Sequence, residues 1–132
     1  MQGLLISNND SIDVKIFVGK GKNNEIYAHE EKESLMEYEI LEDSVEEVKF
    51  VFRRPAYKDE VNLVSGSVII SDAAGLRVDP AAIRYKRMRS LLVGWSLVDQ
   101  NDKKIPVNSE NIDKLHPRVA GAVLNVLDEL LV

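Results

Sequence analysis

The chain has 132 residues, 45% of them apolar and 30% charged, with a formal net charge of −5. That size and balance describe a single folded domain that can bury a core without covalent staples. It contains no cysteine, which excludes disulfides, thiolate-ligated metal centres and thiol catalysis.

The charge is unevenly spread. From Ala28 to Glu47 there are nine acidic residues against the single Lys32, and from Arg77 to Lys104 seven basic residues against three acidic ones. An acidic front repels phosphate, so nucleic acid is not expected as a partner. The two patches read either as solvated faces or as surfaces for protein partners, copies of the chain itself included. The apolar runs Leu4-Leu5-Ile6 and Leu91-Leu92-Val93 are too short for a secretory signal or a spanning helix. No membrane partner follows, and a soluble, cytoplasmic protein is expected.

Ile12, Val14, Ile16 and Val18 alternate with Asp13, Lys15 and Phe17, which predicts a strand with one favoured face. Gly19-Lys20-Gly21-Lys22-Asn23-Asn24 is a turn cluster whose glycines suit positive φ, and Glu25-Ile26-Tyr27-Ala28 returns as the second strand of a hairpin. The Gly19-x-Gly21 pair lacks the third glycine, the following helix and the Lys-Ser/Thr ending of a phosphate loop. Between Glu30 and Val45 neither period fits cleanly, although Tyr38 and Ile40, alternating with Glu37 and Glu39, favour a late strand. Val48, Phe50 and Phe52 predict a firm strand that ends at Arg53-Arg54-Pro55. The two arginines are candidates to pair with the acidic N-terminal half.

Asp59 is placed to cap a helix with Val61, Val64 and Val68 on one face, while Val68-Ile69-Ile70 is also compatible with a short strand. Asp72-Ala73-Ala74-Gly75 reads as loop. Asp79 then caps and Pro80 opens a helix in which Ala81, Tyr85, Met88, Leu92 and Trp95 share a face. Tyr85 and Trp95 are expected in the core on that spacing, with Lys86, Arg87 and Arg89 lying away from it. After the polar turn Val98–Lys103, Ile105-Pro106-Val107 is an extended arm, Asn108 or Ser109 caps a short helix through Leu115, and Pro117 opens a last helix. Its expected buried stripe is Val119, Val123, Val126, Leu127 and Leu130. The fold class is therefore α+β: N-terminal antiparallel strands, a hairpin plus a strand near 48–53, followed by a C-terminal bundle of three to four helices. Within one domain, residues 1–57 form the β-rich acidic part and 58–132 the helical part.

Catalytic chemistry has little to stand on. The two histidines, His29 and His116, are far apart in sequence, and His29-Glu30-Glu31 places neighbours that cannot all point at one metal. Ser65-Gly66-Ser67 resembles a nucleophile elbow in part but lacks its strand–elbow–helix setting. Carboxylates in runs such as Glu46-Glu47 suit a solvated face better than a poised acid–base pair. No enzyme, metal or cofactor is expected.

One ordered set of parts remains. A phenylalanine-rich strand runs into a proline (Phe50-Val51-Phe52-Arg53-Arg54-Pro55), and a helix leads from Arg84 to Trp95. A W-x-L-x-D turn follows (Trp95, Leu97, Asp99), then a P-V-x-x-E-N-I-x-x-L arm and helix (Pro106, Val107, Glu110, Asn111, Ile112, Leu115) and Pro117. Over roughly residues 48–131 this order resembles the small tail proteins of tailed bacteriophages, above all the tail assembly chaperones of long-tailed phages. Asn101-Asp102 stands where that pattern usually has Asp-Gly, and residues 1–47 lie outside the resemblance. The resemblance implies a non-enzymatic protein of the host cytoplasm that binds the long tape-measure protein and brings tail-tube subunits to it. Its candidate contact surface is Leu127, Leu130 and Leu131 of the last helix with the basic face Lys86, Arg87 and Arg89. Taken singly, each of these leucines is better suited to packing at home against Leu92 and Trp95. Two other classes stay open: a structural phage component, such as a head–tail connector or minor tail protein, self-associating in a ring, and a small cytoplasmic adaptor.

Overall fold

A computed structural model describes residues 1–7, 9–65, 68–71 and 75–131. Its centre is a four-stranded antiparallel sheet in the order β2-β1-β3-β6, built from β1 (Ser11–Lys20), β2 (Ile26–His29), β3 (Glu46–Arg53) and β6 (Leu92–Trp95). A second, two-stranded sheet pairs β4 (Val68–Ser71) with β5 (Gly75–Val78). Among the described residues there are five α-helices: α1 (Lys32–Met36), α2 (Tyr57–Ser65), α3 (Pro80–Leu91), α4 (Ser109–Asp113) and α5 (Pro117–Leu130). The α+β class expected from the sequence is the class observed.

The period-two pattern does what it predicts. Ile12, Val14 and Ile16 of β1 and Val48, Phe50 and Phe52 of β3 all point to one face and are buried, with Ile12 opposite Phe52 and Val14 opposite Phe50. Helix α5 lies across that face against β1 and β2. Val119, Val123, Leu124, Val126 and Leu127 join the strand residues, Met88 and Leu91 in one continuous core. Fully burying each such side chain is worth about 1.5–3 kcal/mol, so the two halves of the chain are welded through the core they share. On the opposite face, a small second cluster forms where Leu35 and Ile40 are buried beneath the 31–45 segment.

Local signals place several helix ends where expected. The Asp79 side chain accepts from the Ala81 N–H ahead of Pro80, and the Asn108 side chain accepts from the Asn111 N–H. Pro117 opens α5, and there the His116 Nδ1 accepts the Arg118 N–H.

Other expectations are overturned. The helix from Pro80 stops at Leu91, and Leu92–Trp95 is a strand. The outer edge of β3 offers Phe50 and Phe52 as cross-strand partners for Trp95 and Leu92, while Gly94 is a poor helix former. Pairing across the sheet therefore overrides the helical spacing. Tyr85 is not a core residue either: it is half-exposed on α3, and its hydroxyl donates to Asp113 Oδ1. The late strand at Tyr38–Ile40 reduces to a single bridge, Gly21 with Ile40. Glu39 takes a φ of 55°, which breaks extension, and α1 forms just before it. The stripe Val61, Val64, Val68 does not form, because α2 ends at Ser65 and Val68 belongs to β4. Helix α2 also begins two residues before Asp59, at Tyr57. Gly19 and Gly21 do not take positive φ; in this hairpin Asn24 does, at 69°. Gly19 is required by crowding, since a Cβ there would sit 2.6 Å from Ile40 Cγ2. Leu130 lies outside the α5 stripe, half-exposed, and Leu124 takes a place in the core instead. Gly66, Ser67 and the 72–74 part of the expected loop lie outside the described residues, and Gly75 opens β5.

Candidate partner-binding site

Helix α3 meets α5 through charge. Arg84 Nη1 and Arg87 Nη1 reach the two carboxylate oxygens of Asp128 at 2.8 and 2.7 Å. Arg84 Nη2 also donates to Asn125 Oδ1 at 3.2 Å and to the Gly121 carbonyl at 3.5 Å. This clamp fixes the spacing of the two helices and leaves a groove of about 520 Å³ between α3, α4 and α5. Its floor is apolar: Met88, Ile112 and Leu124 are buried, and Leu115 packs on the core beside them. Ala81, Ala120 and Gly121 keep the groove open, because none carries a side chain beyond Cβ.

The rim is polar. Arg89 Nη1 donates to Tyr85 Oη, which donates in turn to Asp113 Oδ1, both at 2.8 Å, so the tyrosine bridges α3 to the end of α4. The hydrogen bond to Tyr85 raises the Arg89 pKa from its ordinary value.

A second groove, of about 560 Å³, runs along the other side of α5 beside the edge strand β2. Arg118 closes one end: its guanidinium lies over the Tyr27 ring, 4.3 Å from the centroid, donates to the Ile26 carbonyl at 3.0 Å and pairs with Glu25 at 3.3 Å. Tyr27 stacks on Tyr38 at 4.9 Å. The carbonyl that Arg118 takes belongs to the sheet edge, so this arginine blunts β2 against pairing with another strand.

The six residues expected to contact a partner are not brought together. Leu127 is fully buried in the core and offers no surface, a correction forced by its place on the sheet-facing side of α5. Leu131 packs against the core, and Leu130 alone of the three leucines is substantially exposed. The basic face divides as well. Arg87 is committed to Asp128, Lys86 Nζ reaches the Asn62 carbonyl at 3.5 Å, and Arg89 belongs to the Tyr85 rim. The groove itself escaped the sequence reading, because its walls come from three helices whose residues are up to 43 positions apart, Ala81 to Leu124. Its one sequence signal is the run of small residues Ala120-Gly121-Ala122.

No family model matches the chain, and no curated protein or solved structure matches it. Among the described residues, no helix is long and apolar enough to cross a membrane, and no three His, Asp or Glu side chains gather as metal ligands would.

Proposed function

We propose that this protein is a non-enzymatic tail assembly chaperone of a long-tailed phage, acting in the host cytoplasm, and that it receives a helical segment of the tape-measure protein in the α3–α4–α5 groove. The observation that carries the reading is that groove: an apolar floor of Met88, Ile112, Leu115 and Leu124 under a polar rim of Arg84, Tyr85 and Asp113. An amphipathic helix lays its apolar face into such a groove and keeps its polar flank against the rim. Delivery of tail-tube subunits then falls to surfaces outside the groove, Leu130 and the second groove beside β2 among them.

Co-expression with the products of the neighbouring genes, followed by size-exclusion chromatography, tests the assignment. A complex with a long helical neighbour is expected. Ala81→Glu, on the exposed first turn of α3 at the groove mouth, is expected to weaken that complex by at least about tenfold while leaving the fold intact. Failure to find any complex with a long helical neighbour or a tube subunit overturns the proposal.

A further inference from the structure

Two apolar features at one end of the molecule are left uncovered. The first is the segment before β1: Leu4 and Leu5 are 74% and 90% exposed and Ile6 39%, and residues 1–7 carry no charged side chain. The second is the outer face of α2. Tyr57, Val61 and Val64 are 86%, 47% and 48% exposed, and their i, i+4, i+7 spacing gathers them into one narrow stripe. Leu63, on the other side of the same helix, is buried. A surface helix ordinarily turns its apolar stripe inward; α2 carries a second one outward.

The two features share a place in the fold. The arm ends in a turn in which the Asp10 N–H donates to the Ser7 carbonyl and the Asp10 carboxylate accepts the Ser7 N–H. The Asp10 carbonyl then accepts the Arg54 N–H, three residues before α2 begins. The base of the arm is thus tied down beside the start of the helix, while neither apolar surface covers the other.

We propose that this end of the molecule is a self-association face, in which the Leu4–Ile6 arm of one copy packs on the Tyr57–Val61–Val64 stripe of a second copy and receives that copy's arm in return. An exchange of this kind is isologous: every arm finds a stripe and every stripe an arm, so the assembly closes as a dimer. The chemistry matches, an uncharged aliphatic strip on an uncharged aliphatic and aromatic one, and burial of these side chains drives the association. None of these residues lines the α3–α4–α5 groove, so the proposal stands or falls independently of the tape-measure reading.

Light scattering coupled to size-exclusion chromatography of the full chain across a dilution series tests the state directly. The expected result is a mass of twice 14.9 kDa that falls to the monomer on dilution. Leu5→Asp, on a side chain that touches no core, is expected to weaken the dimer by at least about tenfold, and Val61→Glu with Val64→Glu to do the same. Because the chain has no cysteine, Leu5→Cys and Val61→Cys proteins can be mixed and oxidised, and a cross-link between the two different chains is expected. A chain monomeric at every concentration, a dimer indifferent to Leu5→Asp, or a Leu5→Cys, Val61→Cys double variant that closes only within one chain overturns the proposal.

Discussion

Arg53 and Asp59 face each other in a two-pronged ion pair, Nη1 to Oδ2 at 2.7 Å and Nη2 to Oδ1 at 2.9 Å. Asp59 Oδ2 also accepts the Ala56 N–H, and Arg53 Nη2 reaches the Ser90 carbonyl. One pair therefore joins the end of β3, the first turn of α2 and the last turn of α3. The guanidinium and then the Ala56 N–H hold the Asp59 carboxyl at about 2, below its ordinary 3.8, and the hydrogen bond to Asp59 raises the Arg53 pKa.

The sign of the pH effect follows from that depression. Asp59 is a stronger acid folded than unfolded, so its contribution is fully present above about pH 4 and lost as pH falls toward 2. The side chains are 27% and 19% exposed, and with that screening the contribution is about 1–2 kcal/mol. Chemical denaturation should show Asp59→Asn less stable at neutral pH and lacking this part of the acid-induced loss. Asp59→Ala leaves Arg53 without its partner and should cost about 1.5–3 kcal/mol at neutral pH.

Much of this was legible beforehand, and the limit has a physical cause. A sheet with one buried face writes period two into β1 and β3, and caps such as Asp79 and Asn108 act within three residues, so both can be read locally. The acidic N-terminal half is the expected partner of Arg53, yet the partner is Asp59 of α2, which sits in an ordinary mixed run and carries no signal of its own. Leu92–Trp95 misleads because Met88, Leu92 and Trp95 fit continued helix equally well. What decides is β3, about 40 residues earlier, and no local window contains it. The five residues of α1 are too few to show a period at all. The grooves are written nowhere in order, since each is assembled from elements distant along the chain.

The last helix separates core from surface within four residues. Leu127→Ala removes a fully buried side chain and should cost about 2–5 kcal/mol through lost burial and the cavity left behind. Leu130→Ala, on a half-exposed residue, should change stability by no more than about 0.5 kcal/mol. Parallel urea titrations followed by circular dichroism will show whether the two leucines divide this way; equal effects would mean that α5 is rotated about its axis.

Trp95 closes the sheet against the 97–107 arm. Its Nε1 donates to the Ile105 carbonyl at 2.6 Å and its ring meets Phe50 edge-on at a centroid distance of 6.1 Å. Trp95→Phe keeps the aromatic contact and removes the donor, leaving a partly buried carbonyl unpaired. A loss of about 1–2 kcal/mol is expected from the midpoint of a denaturant curve. Ile105→Ala, which keeps the carbonyl, should cost less than the tryptophan change if the hydrogen bond, rather than the isoleucine side chain, anchors the arm.

Two glycines should respond to alanine with opposite signs. At Gly19 the new methyl would stand 2.6 Å from Ile40 Cγ2 and 3.4 Å from Val45 Cγ2. Both are branched side chains with little freedom to retreat, and a loss of about 1–3 kcal/mol is expected from overpacking. At Gly121, inside α5, the same methyl meets no atom of the described residues within 4 Å beyond its chain neighbours and the helix's own backbone. Alanine there gains helix propensity and restricts the unfolded chain, a stabilisation of about 0.5–1 kcal/mol. Gly121 lines the grooves on both sides of α5, so its absent side chain serves access rather than packing. The two conclusions separate experimentally. Thermal melts should show Gly121→Ala more stable than the native chain, whereas Gly121→Leu should fold and yet bind the helical partner more weakly. A destabilised Gly121→Ala protein would instead place a packing demand on this glycine and remove the reason for reading it as an opening.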